Sequence, residues 1–257
     1  IKFGPSAEED LARLFSSRVH ERVHAIQKAV APVTHAHPFN PATDIVLCPQ
    51  DALLLEEYLE KQAYVMQAWF NARLADEIPE VKNMTMLDSL SVADFAQIRK
   101  ENSSIGDTLR QSAAKALDKR FKFDDDGAAV SFCDHYHDVA LCNYRRAWNA
   151  RLSHNCKPVQ FVRLEAEDIE ALSGVCGIDM FDAGQGYIAP PVLNQYNLNA
   201  LLKLNDLVGV SDYDSLPTLS GVLAARGISK DDFLRQSLEQ QPPQPATDAC
   251  GAKAAPS

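Results

Sequence analysis

Six of the seven histidines stand in close pairs: His20 with His24, His35 with His37, and His135 with His137. Imidazole is the commonest ligand for divalent transition metals, and two of them four residues apart on a helix share one face. The run His20-Glu21-Arg22-Val23-His24 has that spacing and sets a carboxylate beside the first ring. Its chemistry would be metal-assisted hydrolysis, with His20 and His24 as zinc ligands and Glu21 as the base that activates a bound water. A second concentration is Cys133-Asp134-His135-Tyr136-His137-Asp138, followed by Cys142, His154 and Cys156. Cys133, His135 and His137 are its candidate metal ligands, although a helix throws residues 135 and 137 onto different faces and no C-x-x-C knuckle accompanies them.

Over the five residues of its H-E-x-x-H pattern the first run resembles the zincin metalloproteases. The resemblance implies a zinc-dependent hydrolase in which His20 and His24 hold the ion, Glu21 acts on water, and a helix-borne acid downstream, Glu56 or Glu57, completes the ligands. No G-x-x-H extension follows the motif, and only nineteen residues precede it where a zincin would place a sheet. Gly184 and Gly186 form a G-x-G with no later glycine, and neither a P-loop nor a G-x-S-x-G elbow is present, so zinc is the one cofactor the motifs could take.

The elements that must carry these residues are mostly helices. Behind a capping box from Ser6 to Glu9, Leu11, Phe15, Val19, Val23, Ile26 and Val30 recur at helical spacing, and Pro32 ends the helix. This stripe flanks the histidines, so the helix is expected to bury Phe15, Val19, Val23 and Ile26, to leave the imidazoles near its margin and to hold no catalytic zinc. Asp51 opens a second helix, with Leu55, Tyr58, Leu59, Val65, Met66, Trp69 and Phe70 as its core stripe and Glu56, Glu57, Glu60 and Lys61 largely opposite. A capping box from Ser91 to Asp94 begins a third, and residues 105–121 read as a fourth. Lys122 and Phe123, then Asp124, Asp125, Asp126 and Gly127, then residues 128–132 read as two short strands about an Asp-Gly turn. Helix returns over 134–152, a strand over 159–164 and helix over 167–172.

The fold class is therefore mainly α: a multi-helix globular domain with one or two short hairpin-like pieces and a small helical C-terminal unit. Residues 1–173 form the larger domain, 174–195 a Gly/Pro-rich connector, 196–240 the small unit and 241–257 a disordered Pro/Gln tail. The core list is Phe15, Val19, Val23, Leu55, Leu59, Met66, Trp69, Phe95, Ile98, Leu109 and Leu141.

With 46% hydrophobic and 23% charged residues the 257-residue chain has the composition of a globular protein. Its net charge of -10 repels a phosphate backbone, so nucleic acid is not an expected partner. No apolar run is long enough for membrane insertion, and Glu8, Glu9, Asp10 and Arg13 stand where a signal peptide would be apolar. Six unevenly spaced cysteines read as reduced thiols and a cytoplasmic setting. The function these features fit best is a non-catalytic interaction or scaffolding subunit with protein partners. The alternative is a zinc-dependent hydrolase built on His20 to His24.

Overall fold

Proline at the first helical position costs no hydrogen bond and pre-sets the backbone, and Pro49 opens the longest helix in this way. The computed structural model describes residues 7–30, 44–78, 81, 85–87, 90–118, 121–123, 129–131, 134–153, 158–173, 180 and 193–233. Within them the order is α1 (Ala7–Val30), β1 (Ile45–Leu47), α2 (Pro49–Leu74), β2 (Thr85–Leu87), β3 (Leu90–Ser91), α3 (Val92–Glu101) and α4 (Ile105–Asp118). There follow β4 (Phe121–Phe123), β5 (Ala129–Ser131), α5 (Asp134–Ser153), β6 (Gln160–Val162), α6 (Ala166–Ser173), α7 (Gln195–Val208) and α8 (Leu219–Ala225). The architecture is mainly α, as the periodicity predicts.

Helix α2 is the axis of the molecule: α1, α3, α4, α5, α6 and α7 all pack on it. One apolar cluster joins Leu55, Tyr58 and Leu59 of α2 to Phe95 and Ile98 of α3, Leu109 and Ala113 of α4, Ile169 of α6 and Val222 and Leu223 of α8. On another side, Leu53 of α2 meets Leu141, Tyr144 and Trp148 of α5 and Leu201, Leu204 and Val208 of α7. Residues 195–208 thus share a core with α5.

The short apolar runs at 45–47 and 160–162, separate in sequence, pair in parallel with Val46 opposite Phe161. β4 and β5 pair antiparallel, Lys122 opposite Val130, as the expected hairpin. The β2–β3 ladder was not signalled by any alternation in its short segments. Ser91 closes the predicted capping box, accepting from the Asp94 amide while the Asp94 carboxylate accepts from the Ser91 amide. The Ser229 hydroxyl likewise accepts from the Asp232 amide at 3.0 Å. Gly209, at φ 80°, ends α7 in the left-handed region that glycine adopts at no steric cost.

Asp51 ties the start of α2 to two distant segments. Its carboxylate accepts the Leu164 amide at 2.7 Å, the Tyr213 hydroxyl at 2.9 Å and the Cys48 thiol at 3.2 Å. Burial pushes its titration up to about 6, against the pull of those three donors. Burial likewise raises the Cys48 thiol well above its ordinary range.

Several expectations about the core need correction. Val23, Leu55, Leu59, Phe95, Ile98, Leu109 and Leu141 are buried, but Met66, Trp69 and Val19 are only partly so. Phe15 is 45% exposed and Ile26 39%, so the apolar stripe of α1 turns outward at those two positions while Val23 stays buried. Glu56, Glu57, Glu60 and Lys61, expected on a solvated face, are all buried, because α2 is covered around its whole circumference from Leu53 to Ala63. The Ser6 cap, the Asp124–Asp126 turn and the tail after Gln241 lie outside the described residues. Cys48 and Cys142 are free thiols. Among the described residues no helix is long and apolar enough to cross a membrane.

Candidate metal centre

A helix of period 3.6 carries every third or fourth residue on one face, and among the α1 residues whose side chains are described the buried set is Ser16, His20, Val23 and Gln27, with His24 half-buried beside them. Apart from Val23 this face is polar. It can be buried because α2, running antiparallel to it, presents matching groups. At one end the Ser16 hydroxyl accepts from Gln67 Nε2 at 2.7 Å and from Asn71 Nδ2 at 2.9 Å. At the other end Gln27 Nε2 donates to the Leu59 carbonyl and to Gln62 Oε1, both at 2.9 Å. Ser16 and Gln27 are about 16 Å apart along the axis at 1.5 Å per residue, so these bonds pin both ends of the seam and fix its register.

Between those ends His20 and His24 meet Glu60. His20 Nε2 lies 3.3 Å from Glu60 Oε2, His24 Nε2 lies 3.2 Å from Glu60 Oε1, and the two Nε2 atoms are 3.0 Å apart. Three ligand atoms therefore converge on one small volume. A tetrahedral ion with bonds of about 2.0–2.1 Å requires ligand atoms roughly 3.3 Å from each other, a value that each of these pairs approaches, the two imidazoles facing different oxygens of the one carboxylate. Among the described residues this is the one grouping of three or more metal-ligating side chains.

The ring proton of His24 can be placed from its neighbours. The Leu59 carbonyl can only accept, so the Gln27 amide must turn its NH2 toward Leu59 and its Oε1 toward His24. Gln27 Oε1 is 2.8 Å from His24 Nδ1, which must then donate to it. In the neutral ring this leaves the Nε2 lone pair aimed into the cluster, the form a metal ligand needs. When no ion is bound, a proton on Nε2 relieves the contact with Glu60. Burial lowers the His24 titration point, but the Glu60 hydrogen bond and charge, with the Gln27 bond, outweigh it and the net shift is upward. Glu60 is opposed by its own burial, yet the two histidines hold it at about 2.

Around the cluster the Tyr64 ring packs on His20 with centroids 4.5 Å apart, and the Tyr64 and Tyr136 hydroxyls are 2.8 Å apart, linking α2 to α5. Glu56 lies one helical turn before Glu60, and its charge reaches His24. The other sequence candidates fall elsewhere. Glu21 is exposed on the solvent side of α1. His135 is exposed while His137, two residues on, is wholly buried, the divergence that helical geometry requires. Cys133 lies outside the described residues, as do His35, His37, His154 and Cys156.

Glu60 is the cluster residue that sequence reasoning left on the solvated face, naming Glu56 and Glu57 instead. The signal that could have found it is the complementarity of two polar stripes, Ser16, His20, His24 and Gln27 on one helix against Gln67, Tyr64 and Glu60 on the next. The chain matches no family model, no curated protein and no solved structure.

Proposed function

We propose that the protein binds one divalent transition-metal ion between α1 and α2, held by His20 Nε2, His24 Nε2 and a Glu60 oxygen. The observation that carries this reading is the convergence of three ligating side chains from two helices: His20 Nε2 and His24 Nε2 lie 3.0 Å apart, each faces one oxygen of the Glu60 carboxylate at 3.3 and 3.2 Å, and one ligand atom from each residue lies within 4.8 Å of the other two. Two nitrogens and one carboxylate suit zinc or iron(II) and leave at least one coordination position for water or a small ligand.

Glu21 stands outside this arrangement, so a hydrolytic role for it draws no support from the geometry. Glu56, whose charge reaches His24, takes its place as the group to test for activating a bound water. Elemental analysis and zinc titration of the purified chain test the metal reading directly. One ion per chain that is lost in His20→Ala/His24→Ala is the expected result; no binding above micromolar affinity in the intact chain refutes it.

The scaffolding reading keeps one observation in its favour. Tyr196, Leu198, Leu202 and Leu207 are exposed along α7, and Leu14, Phe15 and Ile26 along α1, more apolar surface than two helices need expose. Such faces suit protein partners, and the free thiols of Cys48 and Cys142 suit a reducing, cytoplasmic compartment. Light scattering on Leu202→Lys against the unaltered chain tests it: assembly that persists unchanged rules α7 out as the contact.

A further inference from the structure

From the hydrogen bonds around Gln27 we infer that this residue is a positioning residue for the metal centre, selecting the one tautomer of His24 that can bind an ion. The inference rests on the metal reading above and goes beyond it to a residue that would not touch the ion.

Gln27 is 2% exposed and its amide has no freedom to reverse. Its NH2 spans two acceptors contributed by α2, the Leu59 carbonyl and Gln62 Oε1. A reversed amide would set its oxygen against the Leu59 carbonyl oxygen at 2.9 Å, an arrangement with no proton between two acceptors. The oxygen of Gln27 is therefore held toward His24 Nδ1, and the Nδ1 proton is held on that nitrogen. Nε2 is left with its lone pair directed at His20 and Glu60. A histidine without such a partner exchanges its proton between both nitrogens and offers the correct one part of the time. It also rotates more freely about its side-chain torsions. His20 makes the contrast: among the described residues its buried Nδ1 has no hydrogen-bond partner, so no acceptor holds a proton on that nitrogen. Of the two imidazoles, His24 is the preorganised one, and the backbone of α2, through Leu59, is what preorganises it.

Removing a residue that orients a metal-bound histidine typically weakens metal binding about 10- to 100-fold. The test uses zinc(II), titrated in competition with a chromophoric chelator, on the full chain and on Gln27→Met. Methionine keeps the size and removes the oxygen that accepts the Nδ1 proton. The expected result is a 10- to 100-fold loss for Gln27→Met. The second readout, which a merely structural role would not move, is the 15N chemical-shift pattern of His24 in the metal-free protein near pH 9. It should show the Nδ1-protonated tautomer in the unaltered chain, and this measurement decides the matter if Gln27→Met does not fold. Zinc affinity in Gln27→Met within threefold of the unaltered chain, or an Nε2-protonated His24, overturns the role of Gln27 while leaving the ligand set standing. Absence of zinc binding by the unaltered chain overturns the metal reading itself, and this role with it.

Discussion

Replacing Glu60 by Gln changes one atom and removes one charge, so it measures what the carboxylate does without opening a cavity. In the unfolded chain the carboxyl titrates near 4.5; against His20 and His24 it is held at about 2, although burial opposes this. A depressed carboxyl contributes stability that is fully present above its unfolded value and is lost as pH falls toward 2. At 1.36 kcal/mol per pH unit, the difference is about 3 kcal/mol at pH 6 to 7, and the side chain is only 7% exposed, so solvent screens little of it. For a chain of this size that loss corresponds to roughly 6–12 °C in melting temperature. The same arrangement predicts how the loss varies. The titration point of His24 is raised above its ordinary 6.5, so its charge stabilises the fold at low pH and is lost as pH rises through the folded value. The gap between the unaltered chain and Glu60→Gln should therefore narrow from pH 6 to pH 9. Urea unfolding in the presence of a chelator, followed by circular dichroism at four pH values, checks both statements. A gap below about 0.5 kcal/mol at pH 6, or one that does not change with pH, would refute the proposition that Glu60 is held between two imidazoles.

Metal, packing and the Asp51 junction give three further expectations. Zinc at about 100 times its dissociation constant should stabilise the fold by about 2.7 kcal/mol in a thermal melt, and should do nothing for His20→Ala/His24→Ala. Phe15→Ser should cost within about 0.5 kcal/mol, since Phe15 is 45% exposed, whereas Leu55→Ala should cost about 2–5 kcal/mol in urea unfolding. Asp51 titrates at about 6 in the fold and near 3.8 when unfolded, so the folded state is penalised as pH rises between those values. Its contribution should fall by about 3 kcal/mol over that interval and Asp51→Asn should abolish that part of the pH dependence, read by comparing the two melting curves from pH 3.5 to 7.

How much of this was legible follows from what each pattern depends on. The capping box at Ser91, the hairpin around 121–131 and the divergence of His135 from His137 depend on neighbours within a few residues, and each is present. The orientation of α1 depends on its partner. That helix carries two stripes, Phe15, Val19, Val23 and Ile26 on one side and Ser16, His20, His24 and Gln27 on the adjacent one. The habit of turning the apolar stripe inward fails here because the surface of α2 that receives α1 is itself polar. Similarly, Glu60 reads as solvated until α1, α5 and α7 are known to close around α2.

Burying this polar stripe while Phe15 and Ile26 stay exposed carries a desolvation cost that hydrogen bonds seldom more than offset, typically about 1 kcal/mol net for each bond made and more than that for each group left unpaired. The bonds of Ser16 with Gln67 and Asn71, and of Gln27 with Leu59 and Gln62, satisfy the two ends of the seam. They do not reach its middle, where the Glu60 carboxylate of α2 meets the two imidazoles of α1. Local rules of this kind are broken where a site has a use for the groups it buries. On that argument the middle of the seam, and not its ends, is the part whose arrangement an ion would account for. Substituting Ser16 or Gln67 should then lower stability while leaving the number of ions bound unchanged, whereas substituting His20, His24 or Glu60 should remove the ion. Thermal melts and zinc titrations run side by side on both groups would expose the flaw if the two sets of variants behaved alike.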